Sequence, residues 1–361
     1  MARRLSPAEL ARQKRLEALE KELKKILLQS FTLSINVAQV QNALRNLQEQ
    51  FSITTNKQLL RKISIILKKQ FSKFQLTLVN AIQKEFDITS SDQWGNLKKR
   101  YSKTTAEAEV FNFYKDKAVN TSRSTATHSQ QFYNEKKGGL KLSERIWKTF
   151  ENIPKEIDVM VQNHIKEGKS AESLARELQK NLTESNNIFR RVRNAKTGKL
   201  EWSQAAKQYR PGQGVYRSSY KNALRLARTE INRGYRHSEW NGYQNNMQVY
   251  GYEIVLSNNT ENQCEVCRRL AGVYPKWFLW TGWHPQCRCR MTPILMPNDD
   301  WKKLIQLRLA GRESEFKPNF IEVLPSQFIE YLLENKERIG NAASYPYWFE
   351  DNLEELQKTV L

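Results

Sequence analysis

The 361-residue chain has no apolar run approaching the 18 or so residues that a membrane span needs. Its tightest apolar cluster, 63–67, is interrupted by Ser64, and transmembrane anchoring is not expected. The basic residues near the N-terminus are followed by no apolar region, so this end does not read as a secretory signal. Acidic residues are also in short supply, with 38 Asp and Glu against 59 Lys and Arg for a net charge of +21. So basic a chain repels itself unless it meets a polyanion; nucleic acid is the first candidate partner and anionic lipid the second. Cysteine is scarce too. All four lie between Cys264 and Cys289, where they cannot staple the rest of the chain, which excludes a disulfide scaffold and marks one local site.

What is present is mostly helical pattern. Pro7 opens a run of helix formers to about Leu28. Between 56 and 86, Leu60, Ile63, Leu67, Phe71, Phe74, Leu78 and Ile82 step by three and four along one helix face. A third helix is expected over 105–119. The polar stretch after it closes on Gly138-Gly139 and reads as a linker. Short helices are expected from Ser143, Pro154 and Ser170, and a long one over 219–245. The turn signal 194–199 closes a small hairpin, while 248–256 and, more weakly, 288–295 read as strands. Helical patterns return at 299–309, 326–338 and 349–359. The expected fold class is mainly α with a smaller α+β C-terminal domain: an elongated helical N-terminal region, and a small sheet around a zinc-like Cys/His loop. The domains read as a helical arm 1–120, a linker 121–142, a domain 143–298 and a helical tail 299–361.

Charge concentrates in residues 185–236, where thirteen basic side chains face only Glu201 and Glu230, a local net of +11. Arg190, Arg191, Arg193, Lys196, Lys199, Arg210 and Arg217 are the candidate nucleic-acid contacts. Aromatic rings interleave with them, among them Trp202, Tyr209 and Tyr216, as surfaces for packing or for stacking of bases.

Cys264-Glu-Val-Cys267 is a C-x-x-C knuckle, and sixteen residues later come His284, Cys287 and Cys289. Thiolate and imidazole pairs across such a loop suit structural zinc, which takes four ligands in a tetrahedron. Four of these five residues would serve. The preferred set is Cys264, Cys267, His284 and Cys287, with Cys289 in place of His284 as second choice, because residues two apart on an extended chain sit roughly 7 Å apart. Free or disulfide-forming thiols are the alternative. Trp277, Trp280 and Trp283 read as rings covering the loop. Upstream, Arg228 and Glu230 lie on the long helix with Arg233, Arg236 and His237. Glu230 with Arg233 is an intrahelical ion pair at i, i+3, and a buried Arg or Glu would tie this helix to the Cys/His loop.

The order A-R-T-E-I-N-R on a helix, G-Y-E-I-V, C-E-V-C-R-R-L-A-G and H-P-Q-C-R-C-R-M-T-P resembles the C-terminal domain of tailed-phage minor head proteins, the phage Mu F-like head-morphogenesis family. The similarity runs from about Ile157 to Pro297, with Glu261 filling the place of an acidic residue before the first cysteine. Where such domains often carry a tryptophan in the preceding strand, none stands between Gln248 and Gln263. The resemblance implies a virion component made in the bacterial host cytoplasm, with phage portal and capsid proteins as partners and contact with packaged double-stranded DNA. No membrane role and no catalytic residue are expected. The alternative is a nuclease or toxin-type enzyme carried in the virion, for which Glu230, His237 and His284 would be the available groups.

Overall fold

The structure is a computed structural model that describes residues 7–33, 53–121, 125–152, 191–203, 206–207, 209, 215–216, 218–257, 263–342 and 344–360. Among them are eleven α-helices. In chain order these are α1 (Pro7–Leu33), α2 (Ile53–Tyr101), α3 (Thr105–Thr121), α4 (Thr125–Asn134), α5 (Leu142–Phe150) and α6 (Ser219–Gln244). The rest are α7 (Glu265–Arg269), α8 (Asn298–Leu309), α9 (Ser326–Gly340), α10 (Tyr347–Glu350) and α11 (Leu353–Val360). Five short strands complete the fold: β1 (Arg191–Arg193), β2 (Leu200–Trp202), β3 (Val249–Val255), β4 (Gly272–Tyr274) and β5 (Arg290–Leu295). The expected class, mainly helical with a small antiparallel sheet and a Cys/His cluster in the C-terminal part, is what the chain adopts. No described helix is long and apolar enough to cross a membrane. The helices expected from Pro154 and Ser170 lie outside the described residues, as does Glu261.

The chain forms two compact units, each discontinuous in sequence where the motifs suggested a linear series. One comprises Ala81–Leu140 and Thr229–Leu361, the other Leu5–Asn80 and Lys141–Arg228. In the second unit the apolar stripe of α2 is buried at Phe74 and Leu78, and Phe74 meets Phe150 of α5 edge to face at 5.6 Å. The β1–β2 hairpin also belongs to this unit.

The first unit holds the sheet, in the order β4–β3–β5 and antiparallel throughout. β3 takes the centre because its residues bury both faces, all but Glu253 and Val255 being buried. Pro293 is tolerated because β5 is an edge strand. One core packs β3, the 264–289 loop and the tail helices together through Tyr252, Tyr274, Trp283, Phe328 and Trp348. A second joins the end of α2 and α3 to α8, with Tyr101 against Trp301 at 5.2 Å and its hydroxyl donating to the Met296 carbonyl at 2.6 Å. Residues 299–361 are thus built into the same unit as the Cys/His loop, and so are residues 81–120.

The polar stretch expected as a linker contains helix α4. Phe132 and His128 stand one turn apart on it and are both buried, with Phe86 5.6 Å from His128 and 5.9 Å from Phe132. Tertiary burial of this single face overrides a weak local propensity. Gly234 brings α6 close to α2: a Cβ there would lie 2.6 Å from the Ile82 side chain.

Candidate metal centre

The C-x-x-C knuckle is a helix start. Cys264 is the N-cap of α7, its sulfur accepting from the Cys267 amide at 3.3 Å, so the two side chains stand one turn apart on the same side. Cys267 Sγ lies 3.2 Å from His284 Nε2 and 3.8 Å from Cys287 Sγ. The second distance is the edge of a tetrahedron with metal–sulfur bonds of about 2.3 Å, an edge of about 3.8 Å. His284 Nδ1 sits 2.8 Å from the Pro285 carbonyl. A proton on Nδ1, donated to that oxygen, leaves the Nε2 lone pair for a cation, which is how ligating histidines are usually oriented.

Two groups of donor atoms form here, each with all members within 4.8 Å: Cys264, Cys267 and His284, and Cys267, Cys287 and Cys289. Cys267 belongs to both. All five residues therefore converge on a place that could hold a metal ion. The spacing argument against pairing Cys287 with Cys289 does not hold, because both precede β5, which starts only at Arg290. Gln286, with φ of 63°, turns the chain just before them.

Electrostatics favour a cation. Hydrogen bonds from Cys267 and Cys289, helped by the Arg236 charge, hold the Cys287 thiol far below its ordinary value. Cys267 is pushed far up by Cys287 and Cys289. Cys289, drawn down by Cys267 but up by Cys287 and by burial, is pushed up to about 12. Crowded thiols of this kind oppose one another's ionisation, an opposition that a bound cation would relieve.

Arg236 of α6 holds the loop in place. Its guanidinium donates to the carbonyls of Thr281 at 2.8 Å and of Cys287 and Cys289 at 2.7 Å each, and lies 4.5 Å above the Trp280 ring. Only glycine fits opposite: Gly282 has φ of 125°, and a Cβ there would stand 2.6 Å from the Arg236 nitrogen. Trp280 and Trp283 are buried in the core over the loop, and Trp277 donates to the Glu322 carbonyl at 3.1 Å.

Arg228 pairs with Glu20 of α1, and Glu230 is fully buried against Arg233 at 2.8 Å. Arg233 continues to Glu135 at 2.7 Å, Glu135 to Lys137 at 2.7 Å, and Lys137 to Asp351. Of this chain of charges the sequence pattern announces only the Glu230–Arg233 pair; for the rest the local cue is Gly138-Gly139, both with positive φ, which fold Lys137 back in a tight turn. Burial opposes the Glu135 charge, yet Arg233 and Lys137 hold its carboxyl down at about 2. Asp351 is instead raised by burial to about 6. His237 packs beside His128, its Nδ1 2.7 Å from His128 Nε2, and burial drives it down to about 3.

The basic segment separates into two populations. Arg191, Arg193, Lys196 and Lys199 are exposed on or beside the β1–β2 hairpin. Arg233 and Arg236 are 1% and 3% exposed, so they face no external polyanion. Arg190, Arg210 and Arg217 lie outside the described residues. Comparison with protein-family models, with curated proteins and with solved structures finds no match.

Proposed function

We propose that this chain is a minor head protein of a tailed phage, a virion component that docks at the portal or inner capsid and touches packaged DNA through backbone charge. The observation that carries the reading is the closure of its motif series into one folded unit. The helix bearing A-R-T-E-I-N-R supplies Arg236, and Arg236 binds the carbonyls of Cys287 and Cys289 within H-P-Q-C-R-C-R. In the proposed reading the metal is zinc, since sulfur and imidazole donors at tetrahedral spacing suit that ion best. A site closed by four protein ligands would act as a cross-link. The enzymatic alternative draws less support: Glu230 is committed to Arg233, and His237 is buried beside His128, so neither is placed to exchange protons with a substrate in solvent. Quantitative mass spectrometry of particles of the encoding phage tests the assignment. A few to a few tens of copies per particle is expected, and absence from particles would remove it.

A further inference from the structure

The β1–β2 hairpin differs from every other strand pair in the described chain because both of its faces are open to solvent. Five of its six strand residues are exposed, and Glu201 is half-buried. Two-stranded ribbons of this length are marginal in water without a surface to lie on. The register puts Arg191 opposite Trp202 and Arg193 opposite Leu200, so these four side chains share one face, with Val192 and Glu201 on the other. The lone acid is engaged on its own side, by Asn194 at 2.9 Å and Lys207 at 3.3 Å. One face is therefore cationic and the charge that could offset it is drawn away.

The ribbon is also stiffened. The Asn194 side-chain oxygen accepts from the amides of Lys196 and Thr197, and Gly198, at φ of 67°, closes the turn. Arg193 donates to the Gly198 carbonyl at 2.8 Å. The Arg191 guanidinium lies 4.9 Å over the Trp202 ring, which restrains it while the residue stays exposed. An indole face covered by a guanidinium serves better to aim that cation than to stack a base. Paired strands about 4.8 Å apart, with their side chains, match a groove about 12 Å wide and not one of about 6 Å.

We propose that this hairpin is a ribbon that lies in the major groove of duplex DNA, with Arg191 and Arg193 on the phosphates and Trp202 as a positioning residue for Arg191. The proposal rests on the DNA contact in the proposed function and assigns it to one element. Binding of the full chain to a labelled duplex is followed by anisotropy at several salt concentrations. Against wild type, Arg191→Ala/Arg193→Ala reduces the slope of log affinity against log salt by about 2, at about 0.9 per phosphate. Arg191→Lys/Arg193→Lys keeps the slope. Trp202→Ala lowers it by about 1, and Trp202→Phe restores it. Methyl green, which fills the major groove, competes with the protein, whereas netropsin, which fills the minor groove, does not.

An unchanged slope in the double alanine variant, with wild type still binding, overturns the hairpin assignment and leaves the DNA contact standing. Competition by netropsin alone, or preference for single strands, also overturns it. No binding by wild type at about 100 mM salt removes both this proposal and the DNA contact, and points to an acidic protein partner.

Discussion

The Cys/His loop 264–289 and the β1–β2 hairpin are short, turn-rich segments of one basic chain, and each depends on arginine in an opposite way. In the loop, Arg236 is enclosed and its donors are spent on three carbonyls. In the hairpin, Arg191 and Arg193 stand in solvent. The sequence around them is equally rich in charge. What separates the two fates is the surroundings: Trp280 and Gly282 close on Arg236, whereas five of the six strand residues of the hairpin are exposed. Net charge by itself is a poor measure of charge that faces a partner.

The contrast breaks first, and with the largest effect, at Cys267. As the member common to both donor groups it cannot be replaced by a neighbour, so Cys267→Ser takes bound metal from about one per chain to near zero, as elemental analysis reads it. Single loss of His284 or Cys289 leaves metal bound, because Cys267 then still stands within reach of three other donors. Chelator should lower the melting temperature of wild type and not of Cys267→Ser. Full metal content in that variant would dissolve the centre described above.

Arg236→Ala comes next. It strands three carbonyls in the interior, a loss of about 4 kcal/mol in urea unfolding, and lysine cannot restore the forked geometry. A loss under about 1 kcal/mol would mean that the loop holds its shape without the helix.

A smaller effect is expected with acid. His237, at about 3 when folded against 6.5 unfolded, contributes stability that is complete above 6.5 and fades as pH falls toward 3. Its neighbours His128, Glu135, Arg233 and Lys137 all act on it. Asp351 has the opposite sign: raised from 3.8 to about 6, it stabilises most at low pH and loses that contribution as pH rises through this window. The two nearly cancel between these limits. Glu135, lowered from 4.5 to about 2, then adds to the loss in strong acid. Melting temperature should hold level from about pH 6 to 4 and drop steeply below, while Asp351→Asn uncovers a decline starting near 6.5. A variant profile as level as that of wild type would sink this account.

The smallest effect belongs to the hairpin. Arg191→Ala/Arg193→Ala should change stability by less than about 0.5 kcal/mol, since exposed side chains contribute little to a core. A larger loss would show that the ribbon is braced by the fold after all.

Periodicity made most of this readable. The stripe of α2, the start of α8 and α9, the long α6 and strands β3 and β5 fall within a few residues of where pattern puts them. Pattern failed where long-range packing decides. The apolar stripe reads only from 56 to 86, yet α2 runs on to Tyr101 because Leu97 and Tyr101 bury against α8. β4 is only three residues long and exists through its pairing with β3. The five ligand candidates were legible from spacing; the closeness of Cys287 to Cys289 was not, since both stand before β5 and not on it. A buried Arg or Glu on α6 reaching the loop could be anticipated, but only the fold singles out Arg236.

Asn352 bonds both the amide and the carbonyl of Leu279, across 73 residues of chain. During translation at about 5–20 residues per second, the ribosome therefore releases Leu279 roughly 4–15 s before the residue that clasps it. Through that interval the loop is made but not yet clasped, so its final shape waits on the last helices of the chain.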